Sequence, residues 1–247
     1  MELVIVGGGS RPDPCRLLEA CAAADAVLAA DSGADWLQAL SIVPDVLIGD
    51  FDSISSAVLD AMMSNGRTRR VRHRTDKDQT DMELCVEEAL RQIDEARGLQ
   101  ACRHDDAMPR AASYDRVRIF GGIGSRLDHS LANLMLLHPL LVHDVEAWIE
   151  DRDNRVTLLG SLDGGKAGPF RVRLPREAGF KVSLVALPPG AGAVTTSGLA
   201  YDMRGRDLPF DSSLAISNEF GEGDAEISFE RGLVLLLLSR DGDRDGD

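Results

Sequence analysis

Val46-Leu47-Ile48-Gly49-Asp50-Phe51-Asp52-Ser53 is a short apolar run that stops on a glycine and then presents two carboxylates two positions apart. The apolar residues Val46–Ile48 read as a buried strand, and the chain turns where the acids stand. The same order recurs on both sides. Upstream, the strand Leu3–Val6 ends at Gly7-Gly8-Gly9-Ser10, Cys15–Ala24 has helical spacing, and the strand Ala26–Ala30 ends at Asp31-Ser32-Gly33 before a helix over Asp35–Leu40. Downstream, Asp81–Arg97 is a long amphipathic helix, Val117–Phe120 is a strand ending at Gly121-Gly122, and Leu127–Leu137 is a further helix. Strand, polar loop and helix in repetition predict an α/β domain, a parallel sheet with helices on both faces. Ligands of such sheets sit beyond the carboxyl ends of the strands, where all these glycine and acidic loops lie.

After Glu150 the pattern changes. Val156–Leu159, Phe170–Leu174, Lys181–Leu187, Leu214–Ser217, Ala225–Glu230 and Leu233–Leu238 are short β-like runs parted by Gly, Pro, Asp and Ser. They predict a C-terminal all-β sandwich domain. The division expected is therefore an α/β catalytic domain over 1–150, a β-sandwich over 151–240 and a disordered acidic tail over 241–247. Residues 98–114 are polar and unpatterned and read as a loop insertion with no inferable role.

Composition narrows the function classes. The 247 residues are enough for a core that needs no metal or disulfide staple. A formal net charge of −14 repels nucleic acid. Aromatic residues make up only 4% of the chain, too few for stacking platforms on single strands, so no nucleic-acid partner is expected. The longest apolar run, 232–239, is far short of the ~20 residues a membrane span needs. Met1–Val6 has no basic leader and reads as a first strand, and the 4 cysteines form no CxxC pair. These features point to reduced thiols and a cytoplasmic location, with no membrane partner.

Three loops carry the chemistry. Asp50 and Asp52, on a strand-end loop, can converge on one hard cation such as Mg²⁺, which keeps substrate phosphates as its other ligands. The plainer reading is an acidic turn that caps Ser53 and the next helix. Asp76-Lys77-Asp78-Gln79-Thr80-Asp81 opens the long helix. Asp78 or Thr80 can cap it, and acids suit its first turn. Three acids around Lys77, preceded by the basic run 69–74, also match a metal-bridged polyphosphate. A solvated edge strand is the alternative reading of that basic run. Gly121-Gly122-Ile123-Gly124-Ser125-Arg126-Leu127-Asp128-His129 combines a close-approach glycine turn with a helix N-terminus that favours anions. His129 is a base candidate there, with a capping or buried structural role as the plainer reading. The chain has no G-x-x-x-x-G-K-[ST], kinase, G-x-S-x-G or H-E-x-x-H signature.

In this order the motifs A-D-S-G-A (30–34), G-D-F-D-S (49–53), D-K-D-Q-T-D (76–81) and G-G-I-G-S-R-L-D-H (121–129) resemble the thiamin pyrophosphokinase family. Thr195–Tyr201 and Ile216–Phe220 are similar to that family's β-domain signature. The resemblance covers nearly the whole chain. It implies Mg²⁺-dependent transfer of a diphosphate from ATP to thiamin, giving AMP and thiamin diphosphate, by a homodimer with thiamin bound near the subunit interface. It implies that Asp50, Asp52, Asp81 and Asp128 are the metal and catalytic carboxylates. Asp31, Lys77, Asp78, Thr80 and Arg126 would face the nucleotide and its phosphates, and Ser217, Asn218 and Tyr201 would belong to the thiamin pocket. Three alternatives stand beside it. One is a diphosphokinase acting on another heterocyclic alcohol such as a pterin. The second is a phosphatase with Asp50 as nucleophile. The third is a non-catalytic nucleotide- or thiamin-binding regulator.

Overall fold

The structure is a computed structural model of the chain and describes residues 1–64, 66–73, 78–101, 115–160 and 169–242. Lys77, Cys102 and the residues 102–114 and 243–247 lie outside the described residues. The chain divides into two compact units, Met1–Arg152 and Asp153–Asp247.

The first unit runs β1 (Glu2–Val6), α1 (Pro14–Ala23), β2 (Ala26–Ala30), α2 (Gly33–Ala39), β3 (Val46–Gly49), α3 (Ser56–Ser64), β4 (Arg69–Arg72), α4 (Asp81–Ala101), β5 (Asp115–Phe120), α5 (Leu127–Met135), α6 (Leu137–Val142) and β6 (Val145–Glu150). Its strands lie in the order β6-β5-β1-β2-β3-β4, and every pair is parallel. Strands β1 to β3 are buried along nearly their whole length, because helices cover both faces of such a sheet. One set of alternate side chains, Val4, Val6, Val27, Ala29 and Leu47, packs against Leu17 and Ala20 of α1 and Ala34 and Leu37 of α2. The other set, Leu3, Ile5, Leu28 and Ile48, is equally buried, and α4 packs along β1, β2 and β3. The chain leaves β1 for β2 on one side and returns to β5 on the other. The ends of β1 and β5 therefore flank the point where strand order reverses, the usual ligand crevice of an open α/β sheet.

The second unit runs β7 (Asn154–Gly160), β8 (Phe170–Leu174), β9 (Lys181–Ala186), β10 (Ala191–Ser197), β11 (Arg206–Leu208), β12 (Asn218–Glu219), β13 (Ala225–Phe229) and β14 (Leu233–Ser239). Two antiparallel layers form, β12-β9-β14-β7 and β11-β10-β13-β8. Val182, Leu184, Val234 and Leu236 from the first interleave with Leu174, Val194, Ile227 and Phe229 from the second in one core. The fold is thus α/β followed by a β-sandwich. No described helix is long and apolar enough to cross a membrane.

The elements depart from the sequence reading in a few places. The helix expected over Asp81–Arg97 continues to Ala101, because Gly98 costs little beside the helix formers Leu99, Gln100 and Ala101. The first residues of the expected 98–114 loop are therefore helical. The helix expected over Leu127–Leu137 is two helices, α5 and α6. Pro139 has no N–H to donate to Met135, so the backbone ladder breaks there and restarts with Pro139 in its first turn. Leu214–Ser217 is not a strand. Ser217 has φ of 59°, outside the β region, and pairing begins only at Asn218. The basic run 69–72 is the edge strand β4, and its Arg69 is bonded to Glu88 of α4.

Candidate active site

The glycine loops after β1 and β5 interlock by backbone alone. Gly7 N–H donates to Phe120 C=O at 2.8 Å, Gly9 N–H to Gly121 C=O at 3.0 Å, and Ser10 N–H to Ile123 C=O at 2.7 Å. Gly121 has φ of 65°, and a Cβ there would fall 2.1 Å from the Gly7 carbonyl oxygen. At Gly9 a Cβ would fall 2.3 Å from the Ile123 carbonyl oxygen. Side chains are thus excluded where the loops touch. Together they wall a cavity of about 470 Å³ at the crevice of the first unit. Asp31 and Ser32 after β2, Ser53 after β3, Gln79–Met82 at the start of α4, and Arg126 and His129 complete it.

The acidic loop is set by its apolar members. Phe51, at φ 68°, and Ile54 pack into the core, which turns the polar residues between and beside them outward. Asp50 Oδ1 accepts the Asp52 N–H at 3.2 Å, so the loop is an acidic turn, but the Ser53 that the plainer reading gave to these two acids is bonded to Asp31 instead. Carboxylate oxygens of Asp31, Asp50 and Asp52 all lie within 4.8 Å of one another. Asp31 is only 4% exposed. Its Oδ2 accepts the Ser53 N–H at 3.3 Å and also the Ser53 hydroxyl, whereas its buried Oδ1, which lies against Gly49, has no hydrogen-bond partner among the described residues. Burial pushes the Asp31 carboxyl above the usual aspartate range. The Ser53 hydroxyl opposes that shift, and the charges of Asp81 and Asp50 add to it. A buried carboxylate oxygen left unpartnered beside two further carboxylates is costly without a cation. The hard-oxygen donor set suits Mg²⁺.

The four carboxylates expected to share a metal are therefore brought together only in part. Asp50 and Asp52 are joined by Asp31, which the sequence reading placed with the nucleotide. Asp81 lines the cavity and lies close enough to raise the Asp31 carboxyl, but it is outside the three-acid group among the described residues. Asp128 is outside it too. Its exposed carboxylate takes Arg126 Nη2 at 2.7 Å, and that hydrogen bond holds it below the usual range. Arg126 itself is exposed at the cavity wall. Thr80 lines the cavity and accepts the Glu83 N–H at 3.2 Å, the capping role expected of it, and Asp78 is exposed. His129 is an exposed wall residue and not a buried one. Sequence reasoning did not single out Ser53, Ser130 or Asn133 as lining residues.

In the second unit Tyr201 and Asn218 share a small apolar cavity of about 100 Å³ with Leu184, Thr196, Leu199 and Met203. Asn218 Oδ1 accepts the Tyr201 N–H at 3.1 Å, and its Nδ2 donates to the Tyr201 carbonyl at 2.8 Å. Ser217 does not line this cavity, and its N–H donates to Ser183 Oγ at 2.9 Å.

Comparison with known proteins follows the same two units. A family model described as "Thiamin pyrophosphokinase, catalytic domain" matches residues 17–149, more than half the chain. The chain belongs to the thiamin pyrophosphokinase family. The model described as "Thiamin pyrophosphokinase, vitamin B1 binding domain" matches residues 170–234. Among curated members of the family, a thiamine pyrophosphokinase of Bacillus subtilis is 24% identical over 211 residues, which is 85% of this chain and 86% of the relative. The solved structure of thiamine pyrophosphokinase from Bacillus subtilis shares the fold with a TM-score of 0.78, at 22% identity over 98% of this chain and all of that one. The thiamin pyrophosphokinase structure from Geobacillus thermodenitrificans gives a TM-score of 0.74 at 25% identity, over 98% of this chain and 99% of that one.

Proposed function

We propose that this chain transfers the diphosphate group of ATP to the hydroxyl of thiamin, releasing AMP and thiamin diphosphate, in the cytoplasm and as a homodimer. One observation supports the reading: Asp31, which groups with Asp50 and Asp52 and keeps a buried oxygen without a hydrogen-bond partner among the described residues, lines a cavity walled by two interlocked glycine loops. Glycine loops let a phosphate approach the backbone closely, and the start of α5 adds the positive end of a helix. Asp31, Asp50 and Asp52 would hold Mg²⁺, with Asp81 beside them. When bound, Mg²⁺ supplies neutralisation of the polyphosphate charge that a chain of net charge −14 otherwise repels.

The transfer forms a bond from the thiamin hydroxyl oxygen to the β-phosphorus and breaks the bond from that phosphorus to the bridging oxygen that leaves with AMP. The chain's own work is positioning and charge balance. Arg126, drawn from Asp128 by a nucleotide, and Lys77 would take phosphate oxygens, and Asp78 and Thr80 would fix the entry to α4. Asp81 or Asp128 would accept the hydroxyl proton. Tyr201, Asn218 and Ser217 would serve the thiamin end, with the small cavity of the second unit as its apolar floor. Phosphorus NMR of a reaction with ATP, Mg²⁺ and thiamin is expected to show AMP and thiamin diphosphate rising together. ADP with thiamin monophosphate would contradict the reading, and an aspartyl-phosphate trapped at Asp50 by borohydride would favour a phosphatase.

A further inference from the structure

Two buried polar side chains of α5 face back into the glycine loop that precedes it. Asn133, 8% exposed, donates from Nδ2 to the Gly122 carbonyl at 2.8 Å. Ser130, 7% exposed and one turn earlier, accepts the Gly124 N–H on its hydroxyl at 3.0 Å. Its single proton serves the Arg126 carbonyl at 3.0 Å or the Gly124 carbonyl at 3.2 Å. The far side of the same loop is held by Gly9 and Ser10 through Gly121 and Ile123. Residues 121–126 are therefore pinned at alternate positions from two sides. These five pins are hydrogen bonds that any rearrangement of the loop must give up. Such a strand-to-helix turn is rich in glycine and would otherwise sample many conformations.

We infer that Ser130 and Asn133 are positioning residues for diphosphate transfer, holding the 121–126 loop in the one shape that aims its backbone N–H groups and Arg126 at the phosphates. This rests on the function proposed above. Neither side chain needs to touch a reacting atom. Losing either leaves the fold of the sheet intact but lets the loop spread over conformations of which only a fraction can bind nucleotide, so the cost falls on the nucleotide and not on thiamin.

The test uses the full chain with Asn133→Ala and, as the smaller perturbation, Ser130→Ala. Each is expected to lower kcat/KM for ATP about tenfold, Asn133→Ala by losing one buried hydrogen bond and Ser130→Ala by losing the one it accepts and the one it donates, while KM for thiamin stays within about twofold. Amide exchange measured on the ligand-free protein is expected to speed up at 122–126 and to stay unchanged in β5 and β6. Ser130→Ala exposes the Gly124 N–H specifically. A variant with a lowered melting temperature but unchanged kinetics per folded molecule would overturn the inference, leaving a structural role only. Equal loss for ATP and thiamin would overturn it too, as would unchanged exchange at 122–126. A wild type that forms no AMP would overturn the function on which the phosphate role rests, and the exchange comparison would still decide whether the two side chains hold the loop.

Discussion

Replacing Asp31 by Asn separates what the acidic group costs the fold from what it contributes to the reaction. The side chain keeps its size, and its oxygen can still accept from Ser53. What goes is one negative charge among carboxylates whose oxygens lie within 4.8 Å, where two unit charges repel by about 1 kcal/mol at the dielectric of water and about 3.5 kcal/mol at an effective dielectric of ~20. A divalent cation among them carries twice the charge, so removing one carboxylate forfeits roughly 2–7 kcal/mol of attraction, part of which the relieved repulsion among the acids returns, leaving a loss of about 100- to 1,000-fold. The variant is therefore expected to lose two to three orders of magnitude in kcat/KM at limiting Mg²⁺ and to recover part of it as Mg²⁺ is raised. The ligand-free fold behaves oppositely. Burial holds the Asp31 carboxyl above the usual range, so its charged form works against folding. Asp31→Asn should melt no lower than the wild type at neutral pH, and that relation should shift in favour of the wild type as the pH falls and Asp31 itself becomes neutral. Steady-state kinetics across Mg²⁺ concentrations and calorimetry across pH measure both. Activity within threefold of wild type at every Mg²⁺ concentration would refute the reasoning.

Three further outcomes follow from other parts of the structure. Gly121→Ala, placing a methyl against the Gly7 carbonyl in a left-handed backbone, is expected to cost about 2–4 kcal/mol in chemical denaturation and to abolish nucleotide binding. For Glu88, burial pushes the carboxyl up, but hydrogen bonds from Arg91 and Gln92 and the charge of Arg69 outweigh it and hold it below the usual glutamate range. Its contribution is therefore complete above that range and is lost as pH falls through the lowered folded value, so Glu88→Gln should flatten the acid side of the melting curve and leave little difference at the lowest pH. Asn218→Ala, which removes both hydrogen bonds to the Tyr201 backbone, should raise KM for thiamin about tenfold and hardly move KM for ATP, as read by initial rates.

Much of the first unit was legible because its strands are buried on both faces and end on glycine or acid. Leu3–Val6 and Ala26–Ala30 are unbroken apolar runs that only a covered parallel sheet needs. Helix α3 was not legible, since Ser55-Ser56 and Ser64-Asn65 surround it with turn-forming residues and blur its apolar spacing. Strand β10 was missed because Ala191–Thr196 is built of small residues whose pairing with β13 comes from the sandwich and not from local propensity. At the site, Asp50 and Asp52 were visible as neighbours in sequence. Asp31 joins them because β2 and β3 are paired in parallel, which sets two strand-end loops side by side. Only the parallel register carries that information. Ser130 and Asn133 lie three apart on one helix face and are polar where a helix should be apolar, a signal that the sequence does contain.

The most direct measurement follows the phosphorus atoms themselves. ATP labelled with ³²P at the β position, thiamin and Mg²⁺ are incubated with the full chain, and the products are separated and counted. The label is expected in thiamin diphosphate, with unlabelled AMP formed in equal amount. Label in ADP alongside unlabelled thiamin monophosphate, or label released only as inorganic phosphate or diphosphate, would contradict transfer of the diphosphate group to thiamin.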